Sequence, residues 1–446
     1  MQRLALIALA SITCLMSEAR AAALGSQGIA SDLLFIEGQV TKTLKSLGSA
    51  PAPGNPLYPV SGGDSGTWTT TSPSDGAQGW TSGFFPGELW LLYQATGSTA
   101  WRDAAQAWTA PLASQANGRP IDPSDIGFMI GTSFGNGYRL TGDPSYRSVL
   151  LTTGGTLATP LLYYNSTVGA VRSWTFPPYE PPSHFAVTID SMMQLGPLQW
   201  GAGNGGSPAW AGIAATHAQT VTTNLVRPDG STFQVADFNP TTGALMSRGT
   251  FAGNSDSSTW ARGQAWALYG FVQAYQTSGD PAFLMTAEDV ANYFVGHSPA
   301  NGIPPWDFDA PGTQPVDTSA AAIAADGLVM LSTVAGANGS LYLQDAENIL
   351  ESLSTSYLGP ASGESVLFDG FPGKGGTNNA LIYGDYYFTE ALLRLQDVLD
   401  GKPGWVLYSP TTVPESSTWA MMLLGFAGLG FAGIRRARAG RALPRA

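Results

Sequence analysis

The sequence predicts an all-α protein folded as an (α/α)6 barrel, a ring of six helical hairpins in which an outer ring of helices sheathes an inner one. The main observation is a junction pattern that recurs five times: an aromatic-rich helical run stops at Gly, a Ser or Asp follows, and an aromatic residue comes soon after. Successive copies lie 45, 64, 73 and 60 residues apart, which suits one hairpin plus a loop. The copies begin at Gly97, Gly142, Gly206, Gly279 and Gly339.

Each copy of the pattern predicts a helix, a tight turn and a second helix. Gly is favoured just past a helix end, Ser and Asp are favoured N-caps, and Pro is tolerated in the first helical turn. Five junctions and one hairpin with a weaker signal make six, the number that closes the ring. Spacing alone leaves an open helical solenoid as the alternative.

The composition of individual segments predicts which ring each helix occupies. Residues 319–331 are apolar nearly all round, which is typical of a helix covered on every side, so we expect an inner helix. Residues 286–295 alternate faces at the helical period and predict an outer helix. Period-2 alternation is best in 231–238, so at most a small β element is expected there. Residues 50–78 and 400–417 are rich in Pro, Gly, Ser and Thr and predict loop or linker.

The domain organisation predicted from these patterns is one large catalytic domain between two targeting segments. Residues 1–23 have a basic start, an apolar run and small residues at the end, which indicates a secretory signal peptide. Residues 24–78 form a helix and loop leading into the barrel, and 79–400 form the barrel itself. A linker (401–417) and a C-terminal sorting or anchor segment (418–446) follow.

The C-terminal segment carries a short apolar run between an acidic motif and a basic cluster. Val413, Pro414 and Glu415 precede the apolar residues 419–434, which are followed by Arg435 and further arginines. Sixteen residues at ~1.5 Å each span about 24 Å, short for a bilayer core of about 30 Å. This tail resembles the PEP-CTERM sorting signal, which implies processing by sorting machinery; a permanent anchor is the alternative. Either interpretation places the body in an extracytoplasmic space.

Composition excludes several classes of function. The chain has 446 residues, 12% of them charged, and a formal net charge of −12, which works against nucleic-acid binding. Its single cysteine, Cys14, lies in the predicted signal peptide, so we expect no disulfide framework or thiolate metal site. The three histidines, His184, His217 and His297, have no metal-ligand spacing. Carboxylates are therefore the main acid–base groups left, and no metal is expected.

Two aspartates have an unusual context. Asp125 and Asp190 are each a lone charge among apolar neighbours at the start of a helical run. Each could be an N-cap, since Asp accepts hydrogen bonds from the first helical turn. On inner helices, however, both would face one central cavity. Like charges close together in a low-dielectric site raise the proton affinity of one of them, which provides an acid at neutral pH.

Aromatic and cationic side chains suggest a sugar site. Arg262 and Trp266 lie four apart on one helical face, and guanidinium donors beside a flat ring suit a sugar with polar or acidic groups. The pattern is equally compatible with a core Trp and a surface Arg. Further aromatics lie at Trp80 and Trp174.

Taken together, eight short segments resemble glycoside hydrolase family 88, the unsaturated glucuronyl hydrolases. They follow the family order from residue 80 to the helix that ends near Arg394. The segments are 80–90 (WTSGFFPGELW), 125–128 (DIGF), 189–193 (IDSMM), 227–233 (RPDGSTF), 260–266 (WARGQAW), 306–308 (WDF), 317–325 (DTSAAAIAA) and 383–388 (YGDYYF).

The resemblance implies an (α/α)6 barrel that removes 4,5-unsaturated uronic acid from the non-reducing end of lyase-generated oligosaccharides, without a cofactor. It implies hydration of a vinyl ether: Asp190 protonates C4 and then helps water attack C5, with Asp125 beside it. By the same resemblance, three aromatic residues form the wall of the uronyl subsite, and two residues of one helix contact the sugar or its carboxylate. These are Trp80, Phe128, Trp174, Arg262 and Trp266.

The chain departs from the family at three positions. Ser124 and Gln234 stand where the family usually has His, and Ala252 stands where Gln is common. Gln234 remains a candidate substrate-binding residue because its amide can still donate a hydrogen bond, although it cannot titrate near neutrality as His does. We therefore expect activity with a substrate preference shifted from glycosaminoglycan fragments toward a bacterial matrix glycan.

Two other functions stay open at the level of sequence. One is a non-catalytic glycan-binding protein of the extracellular matrix that uses the same aromatic cavity. The other is a hydrolase of ordinary saturated glycosides, whose two carboxylates would act as acid and base across the bond. The sequence leaves the linkage, the second sugar and the oligomeric state undetermined.

Overall fold

The computed structural model describes residues 24–62, 66–119 and 123–410. These ranges contain thirteen α-helices and eight short strands. The helices are α1 (Ser26–Leu47), α2 (Phe84–Thr96), α3 (Thr99–Thr109), α4 (Ile126–Ile130), α5 (Asn136–Thr141), α6 (Pro144–Leu157), α7 (Gly196–Gly203), α8 (Ala209–Leu225), α9 (Ala261–Ser278), α10 (Pro281–His297), α11 (Thr318–Ser332), α12 (Gly339–Ser356) and α13 (Ile382–Leu399). The strands are β1 (Tyr58–Gly62), β2 (Trp68–Thr71), β3 (Tyr164–Asn165), β4 (Ala170–Val171), β5 (Phe185–Thr188), β6 (Val235–Phe238), β7 (Leu245–Gly249) and β8 (Ala380–Leu381).

The helices form two concentric rings. In the described part of the chain the inner ring has six members: α2, the α4–α5 segment, the turn Ile189–Gln194 with α7, then α9, α11 and α13. Each packs on the next, and α13 packs on α2, so the ring is closed. The outer ring consists of α1, α3, α6, α8, α10 and α12. The predicted (α/α)6 barrel is confirmed, and the open solenoid is excluded.

The sixth helix pair is built from opposite ends of the described chain. The last described helix, α13, lies in the inner ring, and the first, α1, packs against it from outside. No tight turn joins these two helices, which explains why the sequence marks only five junctions clearly.

Three of the five predicted junctions lie where the sequence places them, and at a fourth, Gly206 lies inside the turn rather than directly after the helix end. Gly97, Gly142 and Gly279 end their helices in the left-handed conformation, with φ between 63° and 70°. Asp143 and Asp280 cap the following helices, each accepting a hydrogen bond from a backbone N–H of the first turn. The third turn, around Gly206, joins α7 to α8.

The prediction at Gly339 is wrong in detail. This glycine is the first residue of α12 rather than the residue that ends α11. Helix α11 ends at Ser332, and a short turn (Gly336–Asn338) joins the two helices. A Cβ at Gly339 would lie 2.3 Å from the backbone oxygen of Ser332, so close packing of the two helices accounts for this glycine.

Burial agrees with the predicted ring positions. Residues 318–331 of α11 are all buried, as expected for a helix covered on every side. In α10 buried residues such as Phe283, Val290 and Phe294 recur on one face while the opposite face is exposed. The first is an inner helix and the second an outer helix, as predicted.

Small sheets decorate one end of the barrel, and there is more β structure than the sequence suggested. Residues 50–78 were expected to be loop, but β1 and β2 pair there and β1 also pairs with β8. The β element expected in 231–238 is β6, the central strand of the antiparallel sheet β5-β6-β7. Strand β5 leads directly into the turn that carries Asp190, so this sheet positions part of the site.

The segment 401–410 has no regular structure, but it packs against the barrel. Trp405 is buried with its ring between the guanidinium groups of Arg139 and Arg394, whose Cζ atoms lie 4.1 and 4.4 Å from the ring centroid. Within residues 24–62, 66–119 and 123–410, no helix has both the length and the apolar character needed to span a bilayer. The predicted signal peptide (1–23), the predicted sorting or anchor segment (418–446) and residues 411–417 of the predicted linker lie outside the described residues.

Candidate active site

A cavity of about 550 Å³ opens at the end of the barrel where β5 and the loop after β7 lie. It brings together all eight residues that the sequence singled out. They are Trp80, Asp125, Phe128, Trp174, Asp190, Gln234, Arg262 and Trp266.

The two aspartates reach the cavity from neighbouring inner-ring segments. Asp125 immediately precedes α4, and Asp190 lies in the turn Ile189–Gln194. The two segments approach closely at Gly127, where a Cβ would lie 2.6 Å from the Cα of Gln194. Gln194 Nε2 donates a hydrogen bond to Asp125 Oδ1 at 2.8 Å. The side chain of Asp125 makes no capping hydrogen bond to α4, so the N-cap interpretation is wrong for this residue.

Asp190 is a half-buried carboxyl that lines the cavity and has a raised pKa. Burial is the main cause that raises the pKa of Asp190 above its ordinary value, while hydrogen bonding to Thr188 and the positive charge of Arg262 act in the opposite direction. Its Oδ1 is buried and has no hydrogen-bond partner among the described residues. Burial, rather than repulsion from a second carboxylate, is therefore the chief cause of the raised pKa of Asp190.

His217 supports the turn that carries Asp190. Its Nδ1 accepts a hydrogen bond from the backbone N–H of Val171 at 3.0 Å, so Nε2 carries the proton and donates to Ser191 Oγ at 2.9 Å. Burial lowers the pKa of His217 to about 3, so the ring is neutral. A neutral, doubly hydrogen-bonded imidazole fixes the residue next to Asp190.

Aromatic rings form one wall of the cavity. Trp80 stacks on Tyr383 with ring centroids 5.2 Å apart and an angle of 27° between the planes. Phe128 contacts both Trp80 and Trp266, at 5.6 and 5.2 Å between centroids. A flat apolar wall beside buried carboxyl groups suits the face of a sugar ring.

Arg262 lines the cavity, and hydrogen bonds to other parts of the protein hold its guanidinium in place. Its Nη1 donates to Asp317 Oδ2 at 3.0 Å and to the carbonyl of Phe371 at 2.8 Å, and its Nη2 donates to the carbonyl of Pro372 at 2.8 Å. Its guanidinium lies over the rings of Trp260 and Tyr383. Arg262 and Trp266 are 4% and 1% exposed, so the interpretation of Arg262 as a surface residue is wrong.

Gln234 is held with a defined orientation. Its Oε1 accepts three hydrogen bonds: from Thr250 Oγ1 at 2.6 Å, from the N–H of Phe251 at 2.7 Å and from the N–H of Ala252 at 2.8 Å. Because the oxygen is engaged, the amide nitrogen is the group left to donate to a ligand. Of the other two departures from the family, Ser124 is buried and does not line the cavity, whereas Ala252 does.

Four further aromatic residues line the cavity and were not assigned to it from the sequence. Trp260 and Tyr383 belong to segments that resemble the family, so their neighbours could have drawn attention to them. Phe176 and Phe251 lie outside those segments and carry no local signal. All four are in contact with the cavity volume. In the described part of the chain no three His, Cys, Asp or Glu side chains converge as a metal site.

An (α/α)6 barrel whose aromatic cavity holds buried carboxyl groups has the architecture of a glycosidase. The chain is 36% identical over 331 residues to the unsaturated glucuronyl hydrolase of Formosa agariphila, a match that covers 72% of this chain and 80% of the relative. It is 31% identical over 333 residues to the enzyme of that name from Bacillus sp. strain GL1, covering 72% and 87%. No family model matches the chain.

Solved structures agree with the sequence matches. An unsaturated glucuronyl hydrolase specific for heparin aligns with a TM-score of 0.77 and 33% identity, covering 84% of this chain and 99% of the other. A UGL variant in complex with dGlcA-Glc-Rha-Glc aligns with a TM-score of 0.76 and 28% identity, covering 86% and 99%. The chain belongs to the unsaturated glucuronyl hydrolase family, glycoside hydrolase family 88, and is a glycosidase.

Proposed function

We propose that this enzyme removes 4,5-unsaturated uronic acid from the non-reducing end of oligosaccharides by hydrating the vinyl ether, with Asp190 as the acid. The observation that carries the proposal is the state of Asp190: a half-buried carboxyl with a raised pKa and a buried, unpartnered Oδ1, in a cavity walled by aromatic rings. A raised pKa increases the protonated fraction of a carboxyl, and a protonated carboxyl can act as a general acid toward carbon.

The first step is protonation of the double bond. The proton of Asp190 goes to C4, and the electron pair of the C4–C5 π bond forms the new C–H bond. The ring oxygen stabilises the positive charge that develops at C5. Asp190 is then a carboxylate next to this charge.

The second step is attack by water. A water molecule adds to C5, and its proton passes to the Asp190 carboxylate, which restores the acid. The hemiketal at C5 opens by breaking the bond between C5 and the ring oxygen. The resulting hemiacetal at C1 breaks down and releases the second sugar, so no cofactor is needed.

The remaining cavity residues position the sugar. Trp80, Phe128 and Trp266 supply the apolar wall, and the Gln234 amide nitrogen supplies a donor with a fixed orientation. Asp125, oriented by the hydrogen bond from Gln194, lines the same cavity as Asp190 and contacts the sugar there. The positive charge of Arg262 lowers the pKa of Asp190 and so stabilises the carboxylate form that the second step needs.

The test is to incubate the protein with unsaturated disaccharides and to follow both the ultraviolet absorbance of the double bond and the release of the second sugar. We expect absorbance and bond cleavage to change together. Release of a saturated terminal sugar from ordinary glycosides, with no action on unsaturated ones, would contradict the proposal in favour of an ordinary hydrolase. Binding without any turnover would contradict it in favour of a glycan-binding protein.

We further propose that the enzyme works in an extracytoplasmic space, with its C-terminal tail handled by sorting machinery. The support is the basic and apolar pattern of 1–23 and the apolar run 419–434 followed by arginines. Cell fractionation with mass spectrometry of the terminal peptides tests it. We expect the protein in an extracytoplasmic fraction and without residues 1–23. An uncleaved protein in the cytoplasm would contradict the proposal.

A further inference from the structure

The mouth of the cavity carries an aromatic surface formed by Trp174, Phe176 and Phe251, here called the aromatic shelf. The ring centroids of Trp174 and Phe176 lie 5.1 Å apart. The centroid of Phe251 lies 6.0 Å from that of Trp174 and 6.1 Å from that of Phe176. All three line the same cavity as the two aspartates. Phe251 is 71% exposed, whereas Trp174 is 8% exposed, so Phe251 forms the outer edge of the shelf.

The exposure of Phe251 is enforced by the backbone that carries it. The N–H groups of Phe251 and Ala252 both donate to Gln234 Oε1, and Thr250 Oγ1 donates to the same oxygen. On the other side, the backbone N–H of Lys374 donates to the carbonyl of Ala252 at 2.9 Å. Because the loop is fixed at both sides, the apolar ring of Phe251 stays exposed to solvent at the entrance. Its burial against a bound ligand would be favourable.

Few of the described residues that line the cavity are charged. Among the described lining residues only Asp125, Asp190 and Arg262 are charged, and both aspartates belong to the reacting centre. The terminal nitrogens of Arg262 are engaged by protein acceptors. Lys374, near the mouth, donates its Nζ to the carbonyl of Asn254 at 3.0 Å. The three rings of the shelf therefore offer apolar surface to a ligand and carry no charge themselves, and the Lys374 ammonium beside them is held by the Asn254 carbonyl.

We propose that Phe251 is a specificity-determining residue that packs against the apolar face of the sugar next to the unsaturated uronyl group, and that the shelf selects a neutral second sugar over a sulfated one. This rests on the proposed function, because the second sugar lies at the mouth only if the uronyl group occupies the interior beside Asp190. An exposed ring packed on the C–H face of a sugar gains apolar burial, while a sulfate at the same place would lose hydration without gaining a partner.

Three substrates test the proposal: a methyl glycoside of the unsaturated uronic acid, a disaccharide with a neutral second sugar, and the same disaccharide with a sulfated one. The variant Phe251→Ala should lower kcat/KM for the neutral disaccharide by about tenfold, the size expected for one lost aromatic contact, and leave the methyl glycoside within about twofold. Phe251→Trp should restore turnover of the disaccharide. The wild type should prefer the neutral to the sulfated disaccharide.

Met246→Ala is the matched control, because Met246 is an exposed apolar side chain of β7 that does not line the cavity. Equal losses on the methyl glycoside and the disaccharide would overturn the proposal, because they would show that Phe251 merely supports the loop. Preference for the sulfated disaccharide would overturn the selectivity. If the wild type turned over none of the three substrates, the proposed function itself would fail, an outcome distinct from normal turnover that is insensitive to Phe251.

Discussion

Gln194 donates a hydrogen bond to Asp125, with 2.8 Å between Nε2 and Oδ1, and lies in the same turn as Asp190. One side chain thus connects the segments that carry the two acidic groups. The connection is possible because Gly127 has no Cβ to separate α4 from the turn. The relative placement of the two carboxyl groups therefore depends on a residue that neither donates nor accepts a proton in the reaction.

Removing this connection should impair turnover more than binding. We expect Gln194→Ala to lower kcat at least about tenfold with little change in KM, because the hydrogen bond from Gln194 orients the Asp125 carboxyl relative to the turn that carries Asp190. Gln199→Ala is the control, since Gln199 is hydrogen-bonded to Gln273 and does not line the cavity. Steady-state kinetics of both variants on an unsaturated disaccharide is the measurement, and equal kcat values would contradict the role of Gln194.

The pH profile should respond to Thr188 in a defined direction. Hydrogen bonding to Thr188 lowers the pKa of Asp190 by stabilising the carboxylate, so Thr188→Val should raise that pKa further. Because the reaction needs the protonated acid, the alkaline limb of kcat/KM should move to higher pH. Thr286→Val, on the outer helix α10, should leave the profile unchanged. A shift to lower pH would contradict the assignment of Asp190 as the acid.

The stability of the fold should fall as the pH rises toward neutrality, because of a buried carboxyl pair on α2 and α13. Burial raises the pKa of Glu88 well above its ordinary 4.5 and that of Asp385 to about 7. Between the ordinary pKa values of these carboxyls and their raised values in the folded state, the folded protein binds more protons than the unfolded one. The free energy of unfolding therefore declines as the pH rises through this range, by up to about 1.4 kcal/mol per pH unit for each proton.

Glu88→Gln removes one of these groups and its repulsion on the other, so it should flatten the decline. Urea unfolding at a series of pH values measures this, with the exposed Glu180→Gln as control. A decline of the same steepness in Glu88→Gln and in the wild type would show that the pair does not cause it.

The segment after α13 should contribute to stability. Trp405 is 8% exposed, lies between two guanidinium groups and donates its Nε1–H to Asp397 Oδ2 at 2.6 Å. Trp405→Ala should lower the free energy of unfolding by about 3 kcal/mol. Its neighbour Val406 is 64% exposed, and Val406→Ala should change it by less than about 0.5 kcal/mol. Equal free energies of unfolding for the two variants would show that packing of this segment against the barrel does not contribute to stability.

The sequence predicts those parts of the fold that depend on local chemistry. The turns at Gly97, Gly142 and Gly279 are specified by a glycine in the left-handed conformation, and Asp143 and Asp280 add caps within two residues. Such signals are readable because cause and effect lie in the same few residues.

Features that depend on distant contacts were missed for the same physical reason. The pair α1 and α13 joins opposite ends of the described chain, and β1 finds β8 more than three hundred residues away. In the site, the family-like segments contain six of the eight predicted cavity residues, all but Trp174 and Gln234. Phe251 is exposed at the mouth because Gln234 holds its backbone. The raised pKa of Asp190 likewise follows from burial, which no local pattern reports.

The central claim is that Asp190 protonates the double bond. The most direct measurement compares the loss of ultraviolet absorbance of an unsaturated disaccharide with wild-type protein and with Asp190→Asn, whose fold is checked by circular dichroism and thermal unfolding. Asn has nearly the same shape but no acidic proton, so we expect the rate to fall at least about 100-fold, the range found for general acids. A folded Asp190→Asn variant that consumes the double bond at close to the wild-type rate would contradict the account.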